Sequence, residues 1–375
     1  MNVLFVLENY LPHIGGVETV FKNLAEGLVR KGHNVDLVTH RIKGTKKFEV
    51  INGARVHRVS CFGSRYLFTF LSIPKVISIA RKADLIHTTT FNGAPPAWLA
   101  SRLLRKKCLI TVHEVWISMW KELGDMSAFG KIMHEFSEKL IYLLPFDFYV
   151  CVSHSTQMQL QRIGKGRNNS AVIYNGVDYA HLDPKKYDGG KIRKKFKLHK
   201  KFVYMFFGRP GMSKGVEYLI KAVPLIKKKI PESKLLIILS RDRAYRKQFH
   251  NLMKLIRRLG ITQDLVLLEP RPYRELPNFI KAADCVVVPS LAEGFGYSVI
   301  EALEMKKPVV ASNTTSIPEV IYGDYVLVKP KSPEGIAEGV GMVYMKKTMH
   351  AKRKVFTIEK NIRKYLRIYT YLMHK

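Results

Sequence analysis

Acidic side chains are scarce in this chain: 63 lysines and arginines stand against 30 aspartates and glutamates, a formal net charge of +33 over 375 residues. That surplus exceeds what solubility requires and implies an anionic partner. Nucleic acid, anionic lipid headgroups and phosphorylated substrates all qualify, as does a bias of the whole organism. Cysteine is scarce too. Cys61, Cys108, Cys151 and Cys285 are scattered without metal-ligand spacing, and the last three sit in apolar, strand-like runs; a disulfide framework is excluded and they read as reduced core thiols. Long apolar runs are missing. The most lipid-like stretch, Leu67 to Ala80, is interrupted by Pro74 and Lys75 and is shorter than the roughly 20 residues that span a bilayer. The opening strand Asn2 to Leu7 is too short and too little basic for a signal peptide. A cytoplasmic protein without a transmembrane helix is expected.

Several motifs are absent as well. No Asp-x-Asp, Cys-x2-Cys or His-Glu-x2-His holds a metal, no Gly-x4-Gly-Lys-Ser/Thr makes a Walker loop, and no Gly-x-Gly-x2-Gly marks a dinucleotide site. No metal is expected. No RNA-binding aromatic signature, zinc finger or basic zipper accompanies the charge, so no specific nucleic-acid partner is expected.

What is present is an α/β pattern. The length suits two domains, and 47% hydrophobic residues can fill two cores. Short β-branched runs alternate with helical periodicity, which predicts parallel sheets covered on both faces. Strands are expected at Asn2–Leu7, Asn34–Thr39, Asp84–Thr88, Leu109–His113 and Phe148–Ser153, then at Phe202–Phe207, Leu235–Leu239, Leu265–Leu268, Cys285–Pro289 and Val309–Ala311. The basic, turn-rich stretch Pro184 to Lys201 separates the halves, so residues 1–183 and 184–355 are expected to form two doubly wound, Rossmann-like domains facing a cleft. Ligands of such sheets bind beyond the carboxyl ends of the strands.

Four segments fall at those ends. The densest is Pro289 to Ala302, a strand end, a turn with Gly294 and Gly296, and a helix whose N-terminus can cradle an anion. Glu293 and Glu301 would flank that anion and accept hydrogen bonds from hydroxyl groups, the layout of a sugar and a ribose joined by a diphosphate. A capping box, Ser298 to Glu301, is an alternative explanation for Ser298 and Glu301, but not for Glu293 or the two glycines. Gly208 to Gly215 follows another strand and offers Arg209 and Lys214; a lysine near a helix N-terminus is disfavoured unless an anion sits there, and the two cations could replace a metal in neutralising a leaving diphosphate. Gly15 and Gly16, within Pro12-His13-Ile14-Gly15-Gly16-Val17-Glu18, form a first βα turn able to approach phosphate or sugar. His113, closing a strand, is either a structural histidine or a functional one.

Taken in chain order, these segments resemble the family 4 glycosyltransferases, retaining enzymes of the GT-B fold. The likeness runs through Gly15-Gly16, Asp84-Leu85-Ile86-His87, Thr111-Val112-His113, Val152-Ser153, Ile173 to Asp178, Gly208-Arg209 with Lys214-Gly215, and Glu293 with Glu301, seven residues lying between those two glutamates. It implies that Arg209 and Lys214 bind the donor diphosphate, Glu301 the ribose, and Glu293 the donor sugar. Backbone of Phe295, Gly296, Tyr297 and Ser298 would cradle sugar and phosphate; Gly15, Gly16 and His113 would line the reaction centre. Phe356, Glu359, Tyr365 and Tyr369 resemble the family's terminal helix, so residues 356–375 are expected to pack back on the N-terminal, acceptor-binding domain.

The reaction implied is metal-independent transfer, with retention by front-face attack, of a hexose or N-acetylhexosamine from a UDP- or GDP-sugar to an acceptor hydroxyl. Pro210, Tyr297, Ser298 and Glu304 to Lys307 depart from the family's commonest pattern and leave the sugar open. The N-terminal loop with Val38-Thr39-His40 resembles members that glycosylate phosphatidylinositol or other lipids. Mixed basic and apolar residues at Arg65 to Lys82 and Arg102 to Lys107 suit peripheral contact with an anionic membrane, at the inner face of the cell membrane, and a lipid, lipid-linked or glycan acceptor. A nucleotide-sugar epimerase of the same fold and a basic nucleic-acid-binding protein are the alternatives.

Overall fold

The computed structural model describes residues 1–13, 15–117, 119–120, 127–242 and 245–375. It divides into two units, one running to Val177 and including Phe356–Lys375, the other comprising Asp178–Val355. The chain thus leaves the first unit at Val177, ahead of the basic stretch where composition had suggested the boundary.

The first unit holds β1 (Asn2–Val6), β2 (Asn34–His40), β3 (Phe48–Ile51), β4 (Ala54–Val59), β5 (Leu85–Thr89), β6 (Lys107–Val112), β7 (Phe148–Cys151) and β8 (Ser170–Val172). They form one sheet in the order β3-β4-β2-β1-β5-β6-β7-β8, parallel except for the β3–β4 hairpin. Its helices are α1 (Gly16–Arg30), α2 (Phe68–Leu71), α3 (Ile73–Ala80), α4 (Ala94–Leu103), α5 (Ala128–Leu143) and α6 (His154–Arg162). Central strands such as β1 are buried on both sides, as their unbroken apolar runs require. In α1 the stripe Val20, Phe21, Leu24, Ala25 and Leu28 is turned inward.

The second unit carries α7 (Gly190–Lys195), β9 (Phe202–Gly208), α8 (Val216–Lys229), β10 (Ser233–Leu239), α9 (Arg246–Arg258), β11 (Leu265–Leu268), α10 (Leu276–Ala282), β12 (Cys285–Val288), α11 (Tyr297–Glu304), β13 (Val309–Ser312), α12 (Ile317–Val320), β14 (Gly323–Val328), α13 (Pro333–Tyr344) and β15 (Met349–Ala351). The sheet order is β11-β10-β9-β12-β13-β14-β15, with only β14–β15 antiparallel. All four cysteines are buried and free.

The chain closes with α14 (Ile358–His374), capped by Thr357 and packed into the first unit. Tyr369 Oη lies 2.6 Å from His87 Nδ1, and Tyr365 Oη 3.0 Å from Thr111 Oγ1, all in the core. A Cβ on Gly27 of α1 would meet Ile362 Cδ1 at 2.1 Å, so the absence of a side chain there lets α14 approach. Among the described residues no helix is long and apolar enough to cross a membrane.

Five strands were not expected: β3, β4, β8, β14 and β15. The β3–β4 hairpin had a usable signal, since its turn is Asn52-Gly53 with φ of 49° and 85°, the pairing that tight hairpins favour. The others are short or partly exposed and lack a continuous apolar run.

Candidate active site

In each sheet the strand order reverses once, between β9 and β12 in the second unit and between β1 and β5 in the first. A crevice opens beyond the strand ends at such a switch point. The loops after β9 and β12 carry Arg209, Lys214 and Glu293, and the helix α11 that follows the second loop carries Glu301, so all four lie around the crevice of the second unit.

Gly215 sets the first of these loops. Its φ is +60°, and a Cβ there would stand 2.1 Å from the Pro289 carbonyl oxygen, so the turn bearing Lys214 presses directly on the turn bearing Glu293. The Leu291 N–H donates to the Ser213 carbonyl at 2.7 Å and joins the two loops further. Lys214 Nζ then donates to Glu293 Oε1 at 2.6 Å, and Ser290 Oγ donates to the same oxygen at 2.8 Å. Glu293 is buried; its N–H donates to Thr315 Oγ1 at 2.9 Å and its carbonyl accepts from Ser316 Oγ at 2.9 Å. In this structure the anion beside Lys214 at this helix end is the Glu293 carboxylate. Gly211-Met212-Ser213-Lys214-Gly215 has the spacing of a nucleophile elbow, but Ser213 is absent from the positive-φ residues and so lacks the strained backbone that defines one.

The capping box is corrected. The helix α11 starts at Tyr297 with Gly296 as N-cap in the left-handed region, φ +94°, and no side chain caps it. Ser298 is therefore already inside the helix. Glu301 lies past the first turn, and its Oε1 accepts from Tyr273 Oη at 3.0 Å rather than capping the helix. Burial pushes the Glu301 carboxyl up to about 7, against the opposing pull of the Tyr273 hydroxyl and the Lys214 charge. Burial also raises the Tyr273 phenol, whose ring lies 4.6 Å from His181. Gly294, Phe295 and Gly296 are buried and Tyr297 and Ser298 half-buried, with the Phe295 and Tyr297 rings edge-to-face at 5.1 Å. Arg209 is exposed and donates to Tyr245 Oη at 3.2 Å, leaning over that ring.

Lys214, Glu293 and Ser290 are thus one hydrogen-bonded cluster, and Glu301 feels its charge. Tyr273, Ser290, Thr315 and Ser316 were not anticipated. Ser290 was visible as a polar residue at a strand end; Tyr273 opens a short 3-10 turn and Thr315 and Ser316 precede α12, all three outside any motif.

In the first unit, Gly15 is the N-cap of α1, and a Cβ on it would meet Glu18 Oε2 at 2.4 Å, whereas Gly16 faces open space. Glu18 is buried and pairs with His13 Nδ1 at 3.0 Å. Ile14 of that loop lies outside the described residues. His113 follows β6 directly; its Nε2 is buried without a hydrogen-bond partner, and burial lowers its pKa to about 4, leaving a neutral imidazole near pH 7. At the β1/β5 switch point stands Glu8, raised by burial, which accepts from Asn92 Nδ2 at 2.6 Å and from Arg65 at 3.5 Å. Glu8 and Asn92 also escaped the sequence, being single polar residues after apolar strands. Among the described residues no group of three or more His, Cys, Asp or Glu is placed to hold a metal ion.

Two doubly wound units with polar loops at both switch points define the GT-B class of glycosyltransferases. Residues 14–181 match the family described as Glycosyltransferase Family 4, and residues 189–358 match Glycosyl transferases group 1. The chain is 31% identical, over 92% of its length and 89% of the relative's, to an uncharacterized glycosyltransferase of Methanocaldococcus jannaschii. It is 22% identical to a subunit of human phosphatidylinositol N-acetylglucosaminyltransferase, over 90% of this chain and 67% of that one. The fold is shared with Anabaena HepE, solved with UDP and glucose, at a TM-score of 0.72 and 21% identity, covering 100% of this chain and 97% of that one. The protein belongs to the family 4 glycosyltransferases, as its motifs implied, and has relatives among the phosphatidylinositol glycosyltransferases.

Proposed function

We propose that this glycosyltransferase moves a hexose or N-acetylhexosamine, with retention and without a metal, from a UDP- or GDP-sugar to a hydroxyl of a lipid or lipid-linked acceptor. The observation that carries the donor half is the Lys214–Glu293 pair at the β9/β12 switch point, 2.6 Å apart and largely shielded from water. A diphosphate entering there competes for Lys214 and recruits Arg209. Glu293, released from Lys214, turns its carboxylate to the sugar hydroxyls, Glu301 accepts from the ribose, and the N-terminal end of α11 with the Phe295–Ser298 backbone lies against the phosphate.

In the reaction the bond from the anomeric carbon to the β-phosphate oxygen breaks. The acceptor oxygen bonds to the same face, and its proton passes to the departing phosphate. Arg209 and Lys214 carry the charge that develops on that phosphate. Neutral His113, with Gly15 and Gly16, lines the acceptor side in the first unit, whose own crevice offers Glu8. The human relative named for phosphatidylinositol supports a lipid acceptor, and the UDP held by HepE supports a uridine donor. Action at the cytoplasmic face of the cell membrane fits that acceptor.

A thermal-shift screen against UDP-, GDP- and ADP-sugars, followed by transfer assays with anomeric configuration read by NMR, tests the proposal. Lys214→Ala and Glu293→Gln are each expected to reduce transfer on the order of 100-fold or more while the fold survives. Retained activity in both overturns it; sugar isomerisation with donor alone would indicate an epimerase.

A further inference from the structure

The helix α5 is amphipathic in the wrong sense for a core helix. Phe129, Ile132, Met133, Phe136, Leu140 and Leu143 are 44–74% exposed, while Glu138, Ile141 and Tyr142 point inward. At about 100° per residue the six apolar side chains fall in one arc of roughly 100°, and the stripe runs for about 21 Å. No charged residue interrupts it.

A second apolar surface adjoins it. Phe62, Tyr66, Leu67, Phe70 and Leu71, around α2, are also exposed, Phe62 at 89%. From Phe62 to Ala83 the chain has Arg65, Lys75, Arg81 and Lys82 and no acid, and all four basic residues are exposed. The two surfaces share one core, in which Phe68 of α2 clusters with Ile141 and Tyr142 of α5, and His134 of α5 feels the charge of Arg65. Arg65 also reaches Glu8 at 3.5 Å, and Thr69 of α2 donates to Asn92 at 3.3 Å, so the patch borders the β1/β5 crevice. Of the other mixed stretch, Arg102 and Lys107 are drawn to Asp147 at 3.2 and 3.9 Å, which makes it the weaker anchor.

We propose that α5 and the Phe62–Leu71 segment form one docking surface for an anionic phospholipid bilayer, with α5 lying in the interface plane. Lipid rather than protein is favoured by charge: an apolar stripe beside an acid-free basic segment matches acyl chains beneath anionic headgroups. The surface is anchored to the chemistry by Glu138, which accepts from the Trp116 N–H at 2.7 Å and from Trp120 Nε1 at 2.6 Å, tying α5 to the loop that starts at His113. The inference deepens the lipid-acceptor proposal by naming the element that meets the membrane.

Co-sedimentation of the full chain with phosphatidylcholine vesicles, with and without about one-third phosphatidylglycerol, tests it without any sugar nucleotide. Binding is expected to prefer the anionic vesicles and to fall at least tenfold in the double variant Ile132→Ser/Phe136→Ser, with circular dichroism unchanged. Wild type that ignores anionic vesicles at about 0.1 M salt overturns the inference, as does a variant that binds equally. A wild-type dimer that the variant converts to monomer, seen by light scattering, assigns the face to a second copy and also overturns it. Failure of the donor proposal would appear instead in the thermal-shift screen, which vesicle binding does not affect.

Discussion

Glu301 is an acid kept from water, and its partners decide which form it takes. With its carboxyl pushed to about 7 by burial, ribose hydroxyls that need a two-oxygen acceptor find it only in the ionised form. Affinity for a nucleotide sugar, whose diphosphate diester does not titrate near neutrality, is therefore expected to rise as pH increases through about 7. Glu301→Gln should flatten the profile. Tyr273→Phe removes a hydrogen bond that favours the ionised form and should move the midpoint upward. Titrations of donor binding between about pH 5 and 9 measure both. For stability the sign is opposite. The folded pKa is above the ordinary 4.5, so the stability contributed by the protonated acid is complete below 4.5 and lost as pH rises through about 7. Denaturation of Glu301→Gln at about pH 8 is expected to show a gain of up to roughly 3 kcal/mol over wild type.

At the scale of elements, the active geometry depends on one turn holding another. Gly215 sits in the left-handed region with the Pro289 carbonyl against its α-carbon, and the helix α8 begins immediately after it. Gly215→Ala combines an unfavourable φ with a clash against backbone, which cannot move aside without dragging Glu293. A loss of about 1–3 kcal/mol in urea denaturation, together with loss of the donor-induced thermal shift, is expected; Gly16→Ala, whose Cβ would face open space, should be close to neutral in stability.

Over the whole molecule, the +33 charge works against compactness. Ion pairs such as Arg55–Asp36 and Arg193–Asp284 use up acids, and with 63 basic residues against 30 acidic ones the surplus has no acids left to match it. The melting temperature is therefore expected to increase as sodium chloride is raised from about 0.01 to 0.3 M, because shortening the Debye length screens this repulsion. A melting curve indifferent to salt would show that the charges are already neutralised locally.

The α/β class, ten of the strands and the segments that bear Lys214, Glu293 and Glu301 were legible in the chain because their causes are local: strands buried on both faces must be continuous apolar runs, and turns at strand ends need glycine. The family, too, could be read from motifs spaced along the chain. Tertiary structure alone decided which groups meet. Lys214 pairs with Glu293 across 79 sequence steps and Glu301 with Tyr273 across 28, partnerships that no local pattern encodes. The same holds for Gly296 displacing Ser298 from the cap, since a left-handed glycine can start a helix two residues sooner than the serine signal suggests. In α5 the periodicity of the sequence shows that an apolar stripe exists, but only packing reveals that the stripe faces outward, because periodicity is the same whichever side the rest of the protein covers.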